Sequence, residues 1–179
     1  MRIATRFTAR VASSAVVAAA LALVGVQAAG ATASAAAKAS PVTCTTANTA
    51  LTVTEVSRPI NHLLLKATNT GTTTCYAHYA PFLRAGADAQ APLAWVEESK
   101  PQAVVTLKPG QSAYAGILTY SPDGEGGGTA KTLGVHFTDK KAAATGKEKT
   151  LNLPKTGVFF NSAAAVTYWQ ANAADALTW

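Results

Sequence analysis

HLLLKATNTGTTTCYAHYAPFL, residues 62–83, contains two predicted β-strands and the turn between them. Its first seven residues form a short, mainly apolar run that predicts a strand. Asn69, Thr70 and Gly71 end this strand, because these residue types favour turns. Residues 75–83 predict a second strand directly after the turn. Short strands separated by turns in this way are typical of an all-β domain.

The same succession of short strands and turns continues along the chain. Residues 51–56 alternate apolar residues with threonine, which is the period of a half-buried strand. Only residues 172–177 have a helical pattern. We therefore predict an all-β antiparallel sandwich formed by a single domain, residues 44–179. Further strands are predicted at residues 92–97, 103–107, 112–120, 132–137, 149–153, 158–160 and 165–169.

Residues 1–35 have the pattern of a secretory signal peptide. Three arginines in the first ten residues precede an uncharged apolar run, residues 11–26, and small residues follow it. This run is short for a membrane-spanning helix, and no later apolar run reaches the roughly eighteen residues that spanning needs. We expect a secreted, extracellular protein with no membrane span after signal removal. Residues 36–43 are expected to be a disordered spacer.

The mature chain is only mildly basic. The sequence has 15 basic and 9 acidic residues, and removal of the three leader arginines leaves 12 basic residues and a net charge of +3. A nucleic-acid-binding protein typically carries a denser basic stripe. We therefore expect no nucleic-acid partner.

Cys44 and Cys75 are the two cysteines of the chain. In an exported protein an isolated pair typically forms a disulfide. Neither cysteine lies in a Cys-x-x-Cys motif, and no histidine stands at metal-ligand spacing from either one. We predict a Cys44–Cys75 bridge, with a reactive or metal-binding thiol pair as the alternative.

Leu153-Pro154-Lys155-Thr156-Gly157 matches the LPxTG pattern that sortases cleave when they attach proteins to peptidoglycan. The residues after it lack the continuous apolar stretch and the basic tail that hold a sortase substrate in the membrane. We favour the alternative interpretation, which is a Pro-Lys-Thr-Gly turn at the end of a strand.

No pattern in the sequence predicts a catalytic residue, a metal centre or a cofactor. His62, His78 and His136 lie on separate predicted strands. Because imidazole is a frequent metal ligand, a metal-dependent enzyme built on these histidines is one alternative function. A secreted protease inhibitor that presents the glycine-rich residues 121–128 is another.

Aromatic and basic side chains are the candidate ligand contacts. Trp95 belongs to a set of aromatic residues that could include a platform for sugar rings, although most large aromatic residues of a sandwich lie in its core. A local basic cluster near residue 140 is interpreted either as a solvated loop or as a contact for wall polyanions. The basic cluster consists of Lys140, Lys141, Lys147 and Lys149. The aromatic set consists of Tyr76, Tyr79, Trp95, Tyr114, Tyr120, Tyr168 and Trp169.

The mature chain resembles the family of secreted actinobacterial domains of unknown function 4232. The matching segments are Cys44, LLLKATNTG at residues 63–71, Cys75, VTLKPGQSA at residues 105–113, and Leu153-Pro154. Where family members tend to have a Gly-aromatic-Pro turn, this chain has HYAP at residues 78–81. The resemblance implies an immunoglobulin-like sandwich with one disulfide and no established catalytic residues.

We therefore expect a secreted, monomeric β-sandwich without catalytic activity. Its partner is expected to be an extracellular or cell-wall ligand, because loops on a rigid scaffold are suited to binding.

Overall fold

The computed structural model describes residues 40–179 of the chain. The predicted signal peptide, residues 1–35, lies outside these residues. Regular structure in the described part is almost entirely β-strand. The strands are β1 (Val42–Thr43), β2 (Thr49–Glu55), β3 (His62–Asn69), β4 (Cys75–Ala85), β5 (Ala94–Val96), β6 (Val105–Leu107), β7 (Ser112–Leu118), β8 (Gly128–Ala130), β9 (Thr132–Thr138), β10 (Ala144–Asn152), β11 (Val158–Phe160) and β12 (Ala165–Thr167); a 3-10 helix (Glu97–Ser99) follows β5, and one short helix, α1 (Ala173–Ala176), follows β12.

Residues 40–179 form two five-stranded sheets and one two-stranded sheet. The first sheet has the order β1-β4-β9-β10, and β6 pairs with the beginning of β4. The second has the order β2-β3-β7-β12-β5, while β8 and β11 form the small sheet. Most neighbours are antiparallel, but β1 with β4 and β12 with β5 are parallel pairs.

Side chains from both large sheets meet in one hydrophobic core. Phe137 of β9 stacks on Trp169, which follows β12, with 5.2 Å between the ring centroids. In β3, Leu63, Leu65 and Ala67 are buried while the residues between them are more exposed. The prediction of an all-β sandwich of the immunoglobulin-like type, with one disulfide, is confirmed.

The Cys44–Cys75 disulfide is present, as predicted. Both cysteines are fully buried, and the backbone N–H of Cys44 donates to the carbonyl oxygen of Tyr76 at 2.9 Å. β1 precedes Cys44 and pairs with the first two residues of β4. The spacer expected over residues 36–43 therefore overlaps a strand at its last two residues, because β4 offers them a hydrogen-bonding edge.

Asn69, the last residue of β3, connects two turns at one end of the sandwich. Its side chain is buried, and Nδ2 donates to the carbonyl oxygens of Thr73 and Leu107 at 2.9 and 2.8 Å. Its Oδ1 accepts from the backbone N–H of Gly71 at 2.9 Å. Its backbone carbonyl accepts from the N–H of Gly110 at 2.8 Å. One buried amide therefore fixes the turn after β3 and the turn between β6 and β7 against each other.

Gly116, in the middle of β7, allows α1 to lie directly on the sheet. A Cβ atom at this position would lie 1.9 Å from the carbonyl oxygen of Ala176, at the end of α1. The N–H of Gly116 also donates to the hydroxyl oxygen of Thr167 at 2.9 Å. The absence of a side chain is what permits this close approach of two backbones.

Two strand pairings contain irregularities that the sequence pattern did not indicate. β10 begins at Ala144, five residues before the predicted strand, and its register with β9 shifts between Thr145 and Lys149. The register of β4 with β9 shifts between His78 and Phe82. Such shifts interrupt the alternation on which strand prediction relies.

Replacing both cysteines (Cys44→Ala with Cys75→Ala) is expected to lower the free energy of unfolding by about 3–4 kcal/mol, because the bridge restricts the unfolded chain. The bridged residues are 31 positions apart. Guanidinium unfolding of the variant and of the oxidised wild type measures the difference. Wild type with reductant is the control and should match the variant. Equal unfolding free energies for the oxidised wild type and the variant would contradict the prediction.

Candidate functional site

A cleft of about 350 Å³ lies beside the irregularity in β4. This volume is at the lower end of the range for small-molecule sites. A larger cleft of about 580 Å³ beside β1 is lined mainly by threonine and other small polar residues, so it offers few distinctive groups. The residues that line the smaller cleft are Ala77, His78, Tyr79, Lys100, Pro101, Ala103, Val104, Lys140 and Tyr168.

Tyr79 forms part of the cleft wall in a backbone conformation that tyrosine rarely adopts. Its φ of 51° lies in the left-handed region, which costs about 1–2 kcal/mol for a residue with a side chain. Tyr79 falls within the register shift of β4, so it bulges out of the hydrogen-bond ladder. Its carbonyl oxygen accepts from the N–H of Trp169 at 2.9 Å. This bond connects the bulge to the segment that follows β12.

An aromatic cluster supports Tyr79 from behind. The rings of Tyr79 and Trp95 are nearly parallel, with an interplanar angle of 16° and centroids 6.2 Å apart. Trp95 also packs against Phe82 at 4.9 Å and against Tyr168 at 5.8 Å, and its Nε1 donates to the carbonyl oxygen of Pro81 at 3.2 Å. Trp95, a predicted ligand contact, therefore supports the cleft wall and does not line the cleft itself.

Tyr168 contributes a buried ring and a hydroxyl that is already hydrogen-bonded. The hydroxyl donates to Oε2 of Glu97 at 2.7 Å. Burial, followed by this hydrogen bond, raises the pKa of Tyr168 to about 12. The phenol therefore remains protonated near neutral pH. Its proton is committed to Glu97 and is not free for a ligand.

Two exposed lysines, Lys100 and Lys140, give the cleft its charge. Neither forms an ion pair, since the ion pairs within residues 40–179 join Glu148 to Arg84 and to His136. No aspartate or glutamate lines the cleft. Within residues 40–179, neither ammonium group is therefore within ion-pair distance of a carboxylate, although Asp139 precedes Lys140 in the sequence and Glu97 contacts the cleft-lining Tyr168.

His78 lies between the apolar and the charged parts of the lining. Burial lowers the pKa of His78; Asp139 opposes this shift and Lys140 adds to it. The imidazole is therefore mainly neutral at pH 7. Asp139 itself caps the turn after β9, because its Oδ1 accepts from the N–H groups of Lys141 and Ala143 at 2.7 and 3.0 Å.

The four lysines of the predicted basic cluster do not form one surface around the cleft. Lys140 lines it, while Lys141 is exposed in the neighbouring turn. Lys147 and Lys149 lie exposed on β10, where the carbonyl oxygen of Lys147 accepts from the Thr46 hydroxyl at 2.7 Å. Sequence reasoning did not select Lys100, whose place in the cleft follows from the 3-10 helix that precedes it.

The three histidines lie in different surroundings. The ring of His62 contacts the carbonyl oxygens of Ile60 and Trp179 at 2.7 and 3.2 Å. His78 lines the cleft, and His136 faces Glu148 with 3.6 Å between Nε2 and Oε2. In the part of the chain that the structure describes, no group of three or more His, Cys, Asp or Glu side chains is placed to hold a metal ion. The geometry offers no support for the metal-dependent alternative.

The glycine-rich loop, residues 121–128, is bonded back to the body of the domain. The N–H of Glu125 donates to the Ser162 hydroxyl at 2.8 Å, and the N–H of Ser162 donates to the carbonyl oxygen of Glu125 at 3.1 Å. A Cβ at Gly127 would lie 2.3 Å from the carbonyl oxygen of Phe160. The loop is therefore held to the domain at Glu125 and Gly127, while most of its residues are exposed.

The LPxTG motif forms the turn between β10 and β11. The N–H of Gly157 donates to the carbonyl oxygen of Pro154 at 2.7 Å, and Gly157 has a φ of 78°. Leu153 is buried in the core. The segment after the turn supplies further core residues, Phe160, Val166 and Trp169. The predicted Pro-Lys-Thr-Gly turn is therefore observed, and the scissile bond of the motif lies within it.

The sequence model of a protein family described as "Domain of unknown function (DUF4232)" matches residues 44–170. No curated protein and no solved structure matches the chain. Within residues 40–179, no helix has the length and hydrophobicity needed to cross a membrane.

Asp139→Asn is expected to lower the pKa of His78 further, because it removes the negative charge that opposes the effect of burial. The asparagine oxygen can still accept the two turn hydrogen bonds. Lys140→Gln is expected to raise the same pKa. NMR titration of the His78 ring measures both shifts, with Lys149→Gln on β10 as the control. Shifts in the same direction for the two variants would show that Asp139 and Lys140 do not act on His78 in opposite senses.

A sortase specific for LPxTG is expected to leave the folded protein uncut between Thr156 and Gly157, because the turn and the buried Leu153 prevent an extended conformation. A synthetic peptide of residues 150–160 is the matched control and should be cleaved. Mass spectrometry of both reactions provides the measurement. Equal cleavage of protein and peptide would mean that this turn opens readily.

Proposed function

Because the chain belongs to the DUF4232 family, whose description assigns no activity, we propose a function from the cleft itself: a non-catalytic binding domain that holds its ligand beside Tyr79. The domain is proposed to act outside the cytoplasm as a monomer. Its ligand is proposed to be a component of the cell envelope or of the surrounding medium.

The strained backbone of Tyr79 is the observation that carries this proposal. A residue with φ of 51° destabilises the fold unless its surroundings hold it there. Glycine would adopt the same conformation without this cost. The tyrosine ring instead stands at the cleft, supported by Trp95. Backbone strain of this kind concentrates at ligand sites, so a role of the ring in binding accounts for the cost.

The composition of the lining favours binding over catalysis. The lining contains no carboxylate, no cysteine and no serine. General acid–base chemistry usually pairs a group of suitable pKa with a second group that orients it. Among the described residues the His78 ring forms no hydrogen bond, the nearby Asp139 accepts from the N–H groups of its own turn, and the Tyr168 hydroxyl is committed to Glu97.

Two features support the proposed location. The leader pattern of residues 1–35 is typical of exported proteins. A buried disulfide such as Cys44–Cys75 persists in oxidising compartments and is rare in reducing ones.

Tyr79→Gly is expected to abolish binding to the cell-wall or culture-medium fraction that contains the ligand, while leaving the fold intact. Relief of the strained φ offsets only part of the loss of the ring's packing on Trp95, so the free energy of unfolding should fall by about 1–2 kcal/mol, which a folded domain can tolerate. Sedimentation with purified cell walls, and capture from concentrated culture medium, would measure binding by the purified protein.

Tyr120→Gly is the matched control, because Tyr120 is an exposed tyrosine that packs on Phe159 and does not line the cleft. It should bind as the wild type does. If Tyr79→Gly and Tyr120→Gly both retain wild-type binding, the cleft is not the binding site. If the wild type binds neither fraction, the proposed function is wrong.

A further inference from the structure

We propose that the cleft recognises an amphipathic anion, that is, a carboxylate or phosphate joined directly to an apolar group. This inference rests on the proposed function, since it names the ligand class of the same site. It depends on three properties of the lining: two lysines that form no ion pair within residues 40–179, several apolar side chains, and no carboxylate or amide side chain.

The charge comes from Lys100 and Lys140, which lie on different segments of the chain and meet at the same cleft. Neither has a salt-bridge partner among residues 40–179. Two ammonium groups on flexible stems suit a carboxylate or a phosphate, which they approach as point charges. An anion bound beside them would give the two lysines the direct ionic partner that they lack within residues 40–179.

The same cleft is also lined by apolar side chains. Ala77 is buried and Pro101 is half-buried, whereas Val104 is 48 % exposed although it is a large aliphatic residue. Covering such a side chain with an apolar ligand group is favourable, because it removes hydrophobic surface from water. The cleft volume of about 350 Å³ is sufficient for a short chain or a single ring.

The lining has few acceptors, and this argues against a neutral sugar. Sugar hydroxyl groups both donate and accept hydrogen bonds, whereas the cleft contains no Asp, Glu, Asn or Gln side chain. The Tyr168 hydroxyl donates to Glu97, and the Tyr79 hydroxyl is directed to the carbonyl oxygen of Lys140 at 3.4 Å. Lysine only donates, so an acceptor-rich anion matches the cleft better than a polyol does.

The test uses three small probes with the same six-carbon chain: hexanoate, hexyl phosphate and the neutral hexanamide. Titration of the purified full protein by two-dimensional NMR should shift the amide signals of Ala77, Tyr79 and Ala103 with both anions. Hexanamide should bind at least about tenfold more weakly, because it cannot form charge-assisted contacts with the lysines. Comparison of the affinities for hexanoate and hexyl phosphate shows whether the cleft prefers a carboxylate or a phosphate group.

Lys100→Gln combined with Lys140→Gln is expected to weaken binding of the anions about tenfold and to leave the affinity for hexanamide unchanged. Lys147→Gln combined with Lys149→Gln removes the same charge from β10, outside the cleft, and is the control. Equal affinities for hexanamide and the anions, or no effect of the cleft lysines, would overturn the proposal.

The outcomes separate this inference from the proposed function. If Tyr79→Gly abolishes binding to the envelope or medium fraction but the lysine variant does not, the cleft is a binding site for a different ligand class. If the natural fraction does not bind while the anions still do, the cleft chemistry is correct and the proposed biological role is wrong.

Discussion

The buried side-chain amide of Asn69 is the contact on which the order of the domain depends. The amide connects the turn after β3 to the last residue of β6. The backbone carbonyl oxygen of Asn69 accepts from the N–H of Gly110 in the following turn. β6 pairs with the first residues of β4, where Cys75 forms the disulfide. A strand of three residues cannot hold its position by pairing alone. The amide and the disulfide therefore hold the same end of both sheets.

The other important constraint is the bulge in β4, where the unfavourable backbone conformation of Tyr79 lowers the stability of the fold but forms the wall of the cleft. Regular pairing with β9 through Tyr79 would continue the sheet and leave no wall for the cleft. The register shift turns the Tyr79 ring out of the ladder, and Trp95 supports it. The same bulge presents a carbonyl oxygen to Trp169, whose ring stacks on Phe137 in the core. Site and core are thus connected through one irregular residue.

The sequence was sufficient to predict the sandwich but not the cleft, for a physical reason. Burial of one strand face produces an alternation that is visible in a single segment, as in β3. The cleft instead combines Tyr79, Lys100 and Lys140 from three separate segments. The bulge that brings Tyr79 there depends on how β4 pairs with β9, which the pattern of either strand does not contain. Residue type alone selected Trp95 and Lys140, but it also selected Lys147 and Lys149, which lie on β10.

Gly116 has a consequence for the durability of the protein. The carbonyl group that ends α1 occupies the space where any other residue would place its Cβ. Even a methyl group there would overlap the carbonyl group of Ala176, so the end of α1 would have to move away from β7. Residues 173–179 therefore stay packed on β7 only while position 116 carries no side chain.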